Sequence, residues 1–153
     1  MPGPEGGERK RNLLIWLDRL ADRVASAGPR PLLAPDAEAS GRLAGLRGKL
    51  LEAGEQVVGL CRAGGRGQLG AADVGPVAEV LGLLSGQGWR PASGAGATLC
   101  GLWERLADLA SDGPTRRRLL VEALQAAEGE DEARRVRVIL AALEGPAPAS
   151  CEP

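Results

Sequence analysis

Leu43-Ala-Gly-Leu-Arg-Gly-Lys-Leu-Leu-Glu-Ala-Gly-Glu-Gln-Val-Val-Gly-Leu60 is the most regular stretch of this 153-residue chain. Leu43, Leu46, Leu50, Ala53, Val57 and Leu60 fall at alternating steps of three and four. That spacing lines one seam of a helix and matches positions a and d of a coiled coil. The stretch predicts a helix over Ala37–Arg62, with Asp36 placed to cap it by accepting a backbone N–H. Gly41, Gly45, Gly48, Gly54 and Gly59 weaken it, each by about 1 kcal/mol relative to Ala in a helix interior. Such a helix needs a docked neighbour, and its missing side chains would let another helix approach closely. A break near Gly54, giving two shorter helices, is the alternative.

Toward the N-terminus, Leu13, Leu17, Leu20 and Val24 repeat at four, three and four, widened by Trp16 and Ala21, which predicts a helix over Glu8–Ser26. Ala27-Gly28-Pro29 stops it, and Pro29, Pro31 and Pro35 stiffen the connector. Residues 1–7 have nothing to bury and are expected as a flexible lead-in.

Toward the C-terminus, Ala63 to Gln68 reads as a glycine-rich loop. Val74, Val77, Leu81 and Leu84 predict a helix over Ala71–Ser85, with Pro76 tolerated near its first turn. Residues 86–97 form the longest interior break. Leu99, Leu102, Leu106 and Leu109 then predict a helix over Thr98–Ser111. The Asp112-Gly113-Pro114 corner, with Asp112 or Gly113 as the cap and Pro114 in the first turn, leads into a helix over Pro114–Ala127 that should bury Leu120, Leu124 and Ala127. A last helix over Asp131–Leu143 should bury Val136, Ile139, Leu140 and Leu143, and Gly145-Pro146 ends it. Corners this short force the last three helices into an up-down unit.

The expected fold is therefore all-α, a bundle of about five to six antiparallel helices with flexible termini. Residues 8–144 are expected as a single helical domain, with a long pair over 8–62, shorter helices over 71–85 and 98–144, and a flexible tail over 145–153.

The chain contains no His, Tyr or Phe, and of its three cysteines, Cys61, Cys100 and Cys151, no two form a C-x-x-C pair. A GC-rich gene accounts for the missing Phe and Tyr, but the missing His still removes the commonest general base. No carboxylate pair stands on an apolar background as acid and base catalysis would require. The glycine runs match neither a phosphate-binding loop nor a dinucleotide fingerprint. These absences predict a chain that is not an enzyme, with no cofactor, no metal site and no small-molecule substrate.

The formal net charge of −1 argues against broad electrostatic capture of nucleic acid or an anionic membrane. No apolar run approaches the roughly 18 residues of a membrane span. Arg9, Lys10 and Arg11 precede too short an apolar stretch for a signal peptide, and Glu5, Glu8, Asp18 and Asp22 suit a mitochondrial presequence poorly. An intracellular protein of the cytoplasm or nucleus is expected.

Arg116, Arg117 and Arg118 occupy the first turn of the predicted fifth helix, where the positive end of the helix dipole makes cations unfavourable by roughly 0.3–1 kcal/mol each. An acidic partner would explain them; so would solvation, offset by Asp112 and Glu122. Arg134, Arg135 and Arg137 could extend the patch if the last hairpin aligns them. Among the three tryptophans, Trp103 sits on a leucine stripe and should be core, Trp16 flanks its stripe, and Trp89 either pins its loop or stands out as a contact. Cys61 and Cys100 read as small buried hydrophobes.

The glycine-laden helices and scarcity of aromatics suggest a fold that is not self-sufficient. The function expected is a non-catalytic adaptor or accessory subunit of a larger complex. It would bind a protein partner through an apolar helix face flanked by arginines, with Arg116, Arg117, Arg118, Arg134, Arg135, Trp16 and Trp89 as the contact residues. A nucleic-acid-associated protein using the arginines of the last two helices is the alternative.

Overall fold

The computed structural model describes residues 4–28, 31–33, 41–91 and 98–144, and within them six helices follow in order. They are α1 (Pro4–Ala27), α2 (Gly41–Ala63), α3 (Ala71–Gly86), α4 (Leu99–Leu109), α5 (Gly113–Ala126) and α6 (Glu130–Glu144). The all-helical expectation holds, and the only β pairing among the described residues is an isolated bridge between Leu69 and Ala110. Asp36, the expected cap of α2, and the tail at 145–153 lie outside the described residues, as do residues 1–3. Helix α1 begins at Pro4, ahead of the expected Glu8.

The fold divides into two compact units. The first comprises Met1–Leu60 and Ala72–Pro91, the second Cys61–Ala71 and Ala92–Pro153.

In the first unit α1 buries Leu14, Leu17, Leu20, Ala21 and Val24. The expected stripe began at Leu13; the buried one takes in Leu14 and leaves Leu13 half-buried. Gly28, at φ +93°, ends α1 in a conformation that an L side chain rarely adopts. Helix α2 runs unbroken through Gly54 and buries Leu46, Leu50, Ala53, Val57 and Cys61, while Leu43 and Leu60 are half-buried. Grooves lined by Arg9, Asn12 and Trp16 with Glu52 and Gln56, and by Asp22 and Ser26 with Leu46, set the start of α1 beside the end of α2 and the reverse. The pair is antiparallel.

The glycines of α2 do not serve helix approach as expected. A Cβ on Gly41, Gly45, Gly48 or Gly59 would meet nothing within 4 Å. Only Gly54 is tight, and what lies over it is the Trp89 indole, whose Cζ2 would be 2.8 Å from a Cβ at that position.

Helix α3 buries Val74, Val77, Val80, Leu81 and Leu84 and closes in a Schellman turn. Gly88, at φ +85°, donates to Ser85 O at 3.1 Å, and Trp89 N donates to Leu84 O at 2.9 Å. The same turn presents Gln87, whose Oε1 accepts from the backbone N–H groups of Leu32 and, at 3.1 Å, Leu33. One side chain thereby fixes the connector leaving α1.

In the second unit α4 buries Leu99, Cys100, Leu102, Trp103, Leu106, Ala107 and Leu109. Thr98 caps it, accepting from Gly101 N at 3.0 Å. Of the two expected caps of α5 it is Asp112 that serves, accepting from Thr115 N at 3.0 Å and Thr115 Oγ1 at 2.8 Å. These two bonds hold the Asp112 carboxyl below its ordinary range. Helix α5 buries Leu119, Leu120 and Ala123, so the expected stripe at Leu120, Leu124 and Ala127 is displaced toward the N-terminus. The helix ends at Ala126, which leaves Leu124 and Ala127 at the half-buried corner. Among the described side chains of α6 only Val136 is fully buried, with Ala133 nearly so. Of its other expected core residues Leu140 is half-buried and Ile139 and Leu143 are exposed, which leaves an apolar face of α6 open.

Candidate functional site: the groove between α4 and α6

Helices α4 and α6 begin together. Thr98, at the start of α4, donates its hydroxyl to Glu132 Oε2 at 2.7 Å, and Glu132 Oε1 accepts from Glu128 N at 3.1 Å. The two bonds, Thr98 first, hold the Glu132 carboxyl below its ordinary range. One turn along α6, Arg135 grips Glu104 of α4 through Nε, at 3.1 and 3.0 Å from the two carboxylate oxygens, and through Nη2. That bidentate pairing raises the Arg135 pKa further above its already high value. The two helices therefore run parallel, with α5 returning antiparallel between them.

Past these ties they enclose a groove. A cavity of ≈ 350 Å³ has Glu104, Arg105, Ala107 and Asp108 of α4 on one wall and Ile139, Ala142 and Leu143 of α6 on the other. Arg116 and Leu120 of α5 form its floor, and Arg66 closes one end. Ile139 is 36% exposed, Leu143 39%, and Val138 beside them 63%. On α6, Glu132, Arg135, Ile139 and Leu143 recur at three, four and four, so the flank that bonds α4 at its start becomes the apolar wall at its end.

Hydrogen bonds fix the basic end of this groove. The last carbonyls of a helix have no internal donor, and each must find one elsewhere. For α4, Leu106 O and Ala107 O accept from Ala110 N at 3.2 Å. Asp108 O accepts from Gly67 N at 3.0 Å, and Leu109 O from Leu69 N at 2.8 Å, while Ser111 N donates back to Leu69 O at 2.8 Å. The segment read as a simple loop thus clips onto the end of α4 through its main chain. Gly67, at φ +71°, permits the turn that aims these donors.

Two arginines complete the accounting. Arg116 donates from Nε and Nη2 to Ala110 O at 3.2 and 2.9 Å. Arg105 donates likewise to Cys61 O at 3.2 and 3.0 Å. Cys61 O needs it, because Gly65 N, its donor in a continuing helix, is committed to Gln68 Oε1 at 2.7 Å. The cation that looked misplaced at the start of α5 therefore faces the negative end of α4, which the short corner brings beside it. Arg66 and Arg105 also share Asp108, at 3.2 and 3.7 Å.

Of the sequence-derived contact residues, only Arg116 lines this groove. Arg117, Arg118 and Arg134 are exposed, and Arg135 is held by Glu104. The hairpin does not bring Arg134 and Arg135 to Arg116, because an antiparallel α6 sets its apolar end opposite the start of α5. Arg66 and Arg105, which no local pattern marked, stand there instead. Trp16, half-buried, lines a separate surface depression with Arg9, Asn12, Leu13, Glu52 and Gln56. Trp89 is half-buried and packs over Gly54, the pinned arrangement of its two readings.

Trp103 is core, as are Cys61 and Cys100. Burial pushes both thiols up to about 11, and at Cys100 the Glu132 and Glu104 carboxylates add to it. Neither thiol is an activated nucleophile. Among the described residues no three His, Cys, Asp or Glu side chains converge to hold a metal ion, and no helix is long and apolar enough to cross a membrane.

No protein-family model matches the sequence, and neither a curated protein nor a solved structure is significantly similar to it.

Proposed function

We propose that the chain is a non-catalytic helical adaptor or accessory subunit that docks on a larger protein through the α4–α6 groove. The observation that carries this reading is an apolar trough, Ile139 and Leu143 over Leu120, left open between two parallel helices and bordered by Arg66, Arg105 and Arg116. Such a trough takes an amphipathic helix, apolar side down. A helix running antiparallel to both walls would begin at the arginine end, where acids in its first turn satisfy both its own dipole and the guanidiniums. The partner therefore presents an amphipathic helix that starts with Asp or Glu.

The nucleic-acid alternative has less to stand on, since the last hairpin does not bring Arg134 and Arg135 to Arg116 and Arg135 is paired with Glu104.

Fluorescence anisotropy with a synthetic amphipathic helix tests the reading. A peptide with an acidic first turn and leucines at three-four spacing should bind the full chain, and a version with a basic first turn should bind less tightly. Leu143→Asp should weaken the acidic peptide by at least about tenfold, a change of ~1.4 kcal/mol. Equal binding of the two peptides, or by the Leu143→Asp chain, would refute it.

A further inference from the structure

The occupant described for the groove has a counterpart in the chain itself. Helix α6 opens with Glu130, Asp131 and Glu132, preceded by Glu128, and its exposed side continues into Arg134, Val138 and Ala142. Asp131 and Val138 lie seven residues apart, so they share the outward face. It is an acidic-start amphipathic helix with an uncovered apolar residue, Val138, at 63% exposure.

Charge in the second unit is separated along its length. At the end where α4 and α6 begin stand Glu128, Glu130, Asp131 and Glu132, with exposed Arg134 and the Arg135–Glu104 pair in the next turn. At the other end, around the last turn of α4 and the first of α5, stand Arg66, Arg105, Arg116, Arg117 and Arg118 against Asp108 and Asp112. A two-fold axis crossing α6 near its middle would lay the acidic start of one α6 against the basic end of the other groove, and do so twice. Val138, Ile139 and Leu143 would fall at the centre. A surface that is its own complement under such a rotation is what an isologous dimer requires.

We infer that, without a partner, a second copy of this chain fills the α4–α6 groove with its own α6, antiparallel and reciprocally, so that self-association guards the docking surface. This rests on the reading of the groove as a helix-docking site. It adds that the resting chain is a dimer from which a partner must displace one copy. Charge complementarity selects this occupant: the α6 start carries the acids that the groove's arginine end calls for, and a helix lacking them would set no polarity.

Sedimentation equilibrium of the full chain at low ionic strength should give a dimer, with a dissociation constant that rises as salt is added. Val138→Asp should give a monomer with unchanged helical circular dichroism, since the side chain it replaces is already in solvent. Arg66→Glu alone, or Glu130→Arg with Asp131→Arg, should each weaken the dimer about tenfold or more. Placed in one chain, the three changes should restore it, because each opposed charge is then reversed together with its mate. A chain that stays monomeric at low salt would overturn the inference, as would a combined variant no tighter than its parents. If that monomer still prefers the acidic-start peptide, the docking reading stands and only self-association falls. If it binds neither peptide, both fall.

Discussion

Helices α4 and α6 start side by side, run the same way, and each carries an apolar residue every three or four positions. Every large apolar side chain of α4 is buried, whereas α6 leaves Val138, Ile139 and Leu143 in solvent. The difference does not lie in their periodicity. Helix α4 has α5 against it and has the 64–70 segment clipped across its end, with all of its last carbonyls partnered. Helix α6 meets α5 on one side and is tied to α4 by hydrogen bonds from Thr98 to Glu132 and from Arg135 to Glu104. A stripe in the sequence identifies the face of a helix that wants burial; the number of neighbours decides whether it gets it.

The contrast can be tested from its strongest element downward. Leu106, fully buried in α4, should cost about 2–5 kcal/mol when cut to Ala, read as a fall in the urea midpoint. A smaller loss would mean that α4 is less enclosed than its burial implies. Next, Arg116→Met keeps an aliphatic stem but strips both hydrogen bonds from the carbonyl of buried Ala110. It should cost about 1–3 kcal/mol. An unchanged midpoint would show that water caps α4 equally well, leaving Arg116 free for a partner.

Thr98→Ala removes the α4 cap and the bond to Glu132 together, for about 0.5–2 kcal/mol. The same variant should blunt the acid sensitivity of the fold. Glu132 has a lowered folded-state pKa, so its contribution is present above the unfolded value and is lost as pH falls through the folded one. Wild-type stability should therefore drop below about pH 4, the ordinary glutamate range, more steeply than that of Thr98→Ala. Smallest of all, Val138→Ala, measured at a protein concentration low enough to keep the chain monomeric, should change stability by no more than about 0.5 kcal/mol, because in the single chain its side chain has little protein to leave. A loss comparable to that of Leu106→Ala would close the gap between the two helices and remove the case for an open face.

The helices were legible because three-four spacing and Gly-Pro punctuation are local signals. Asp112 as a cap and Trp103 as core were read the same way, from residues within one turn of them. The groove was not legible. Ile139 and Leu143 sit at core spacing, and nothing near them in sequence shows that they stay exposed. Arg116 looked electrostatically wrong because its compensating charge is the end of another helix, a backbone property with no sequence signature. Arg135 and Glu104, or Gln87 and Leu33, are far apart in the chain and meet only after folding. The clip at Gly67 and Leu69 works through main-chain atoms that every residue owns, so a glycine-rich loop gave no hint of it.

The packing of Trp89 over Gly54 has an optical consequence. With three tryptophans and neither tyrosine nor phenylalanine, all near-ultraviolet signal from this chain is indole signal. Trp16 and Trp89 belong to the first compact unit, and buried Trp103 belongs to the second. Each unit thus carries its own intrinsic chromophore. Replacing Trp103 with leucine, or the other pair with phenylalanine, would let the melting of one unit be followed without interference from its companion, and no attached dye would be needed.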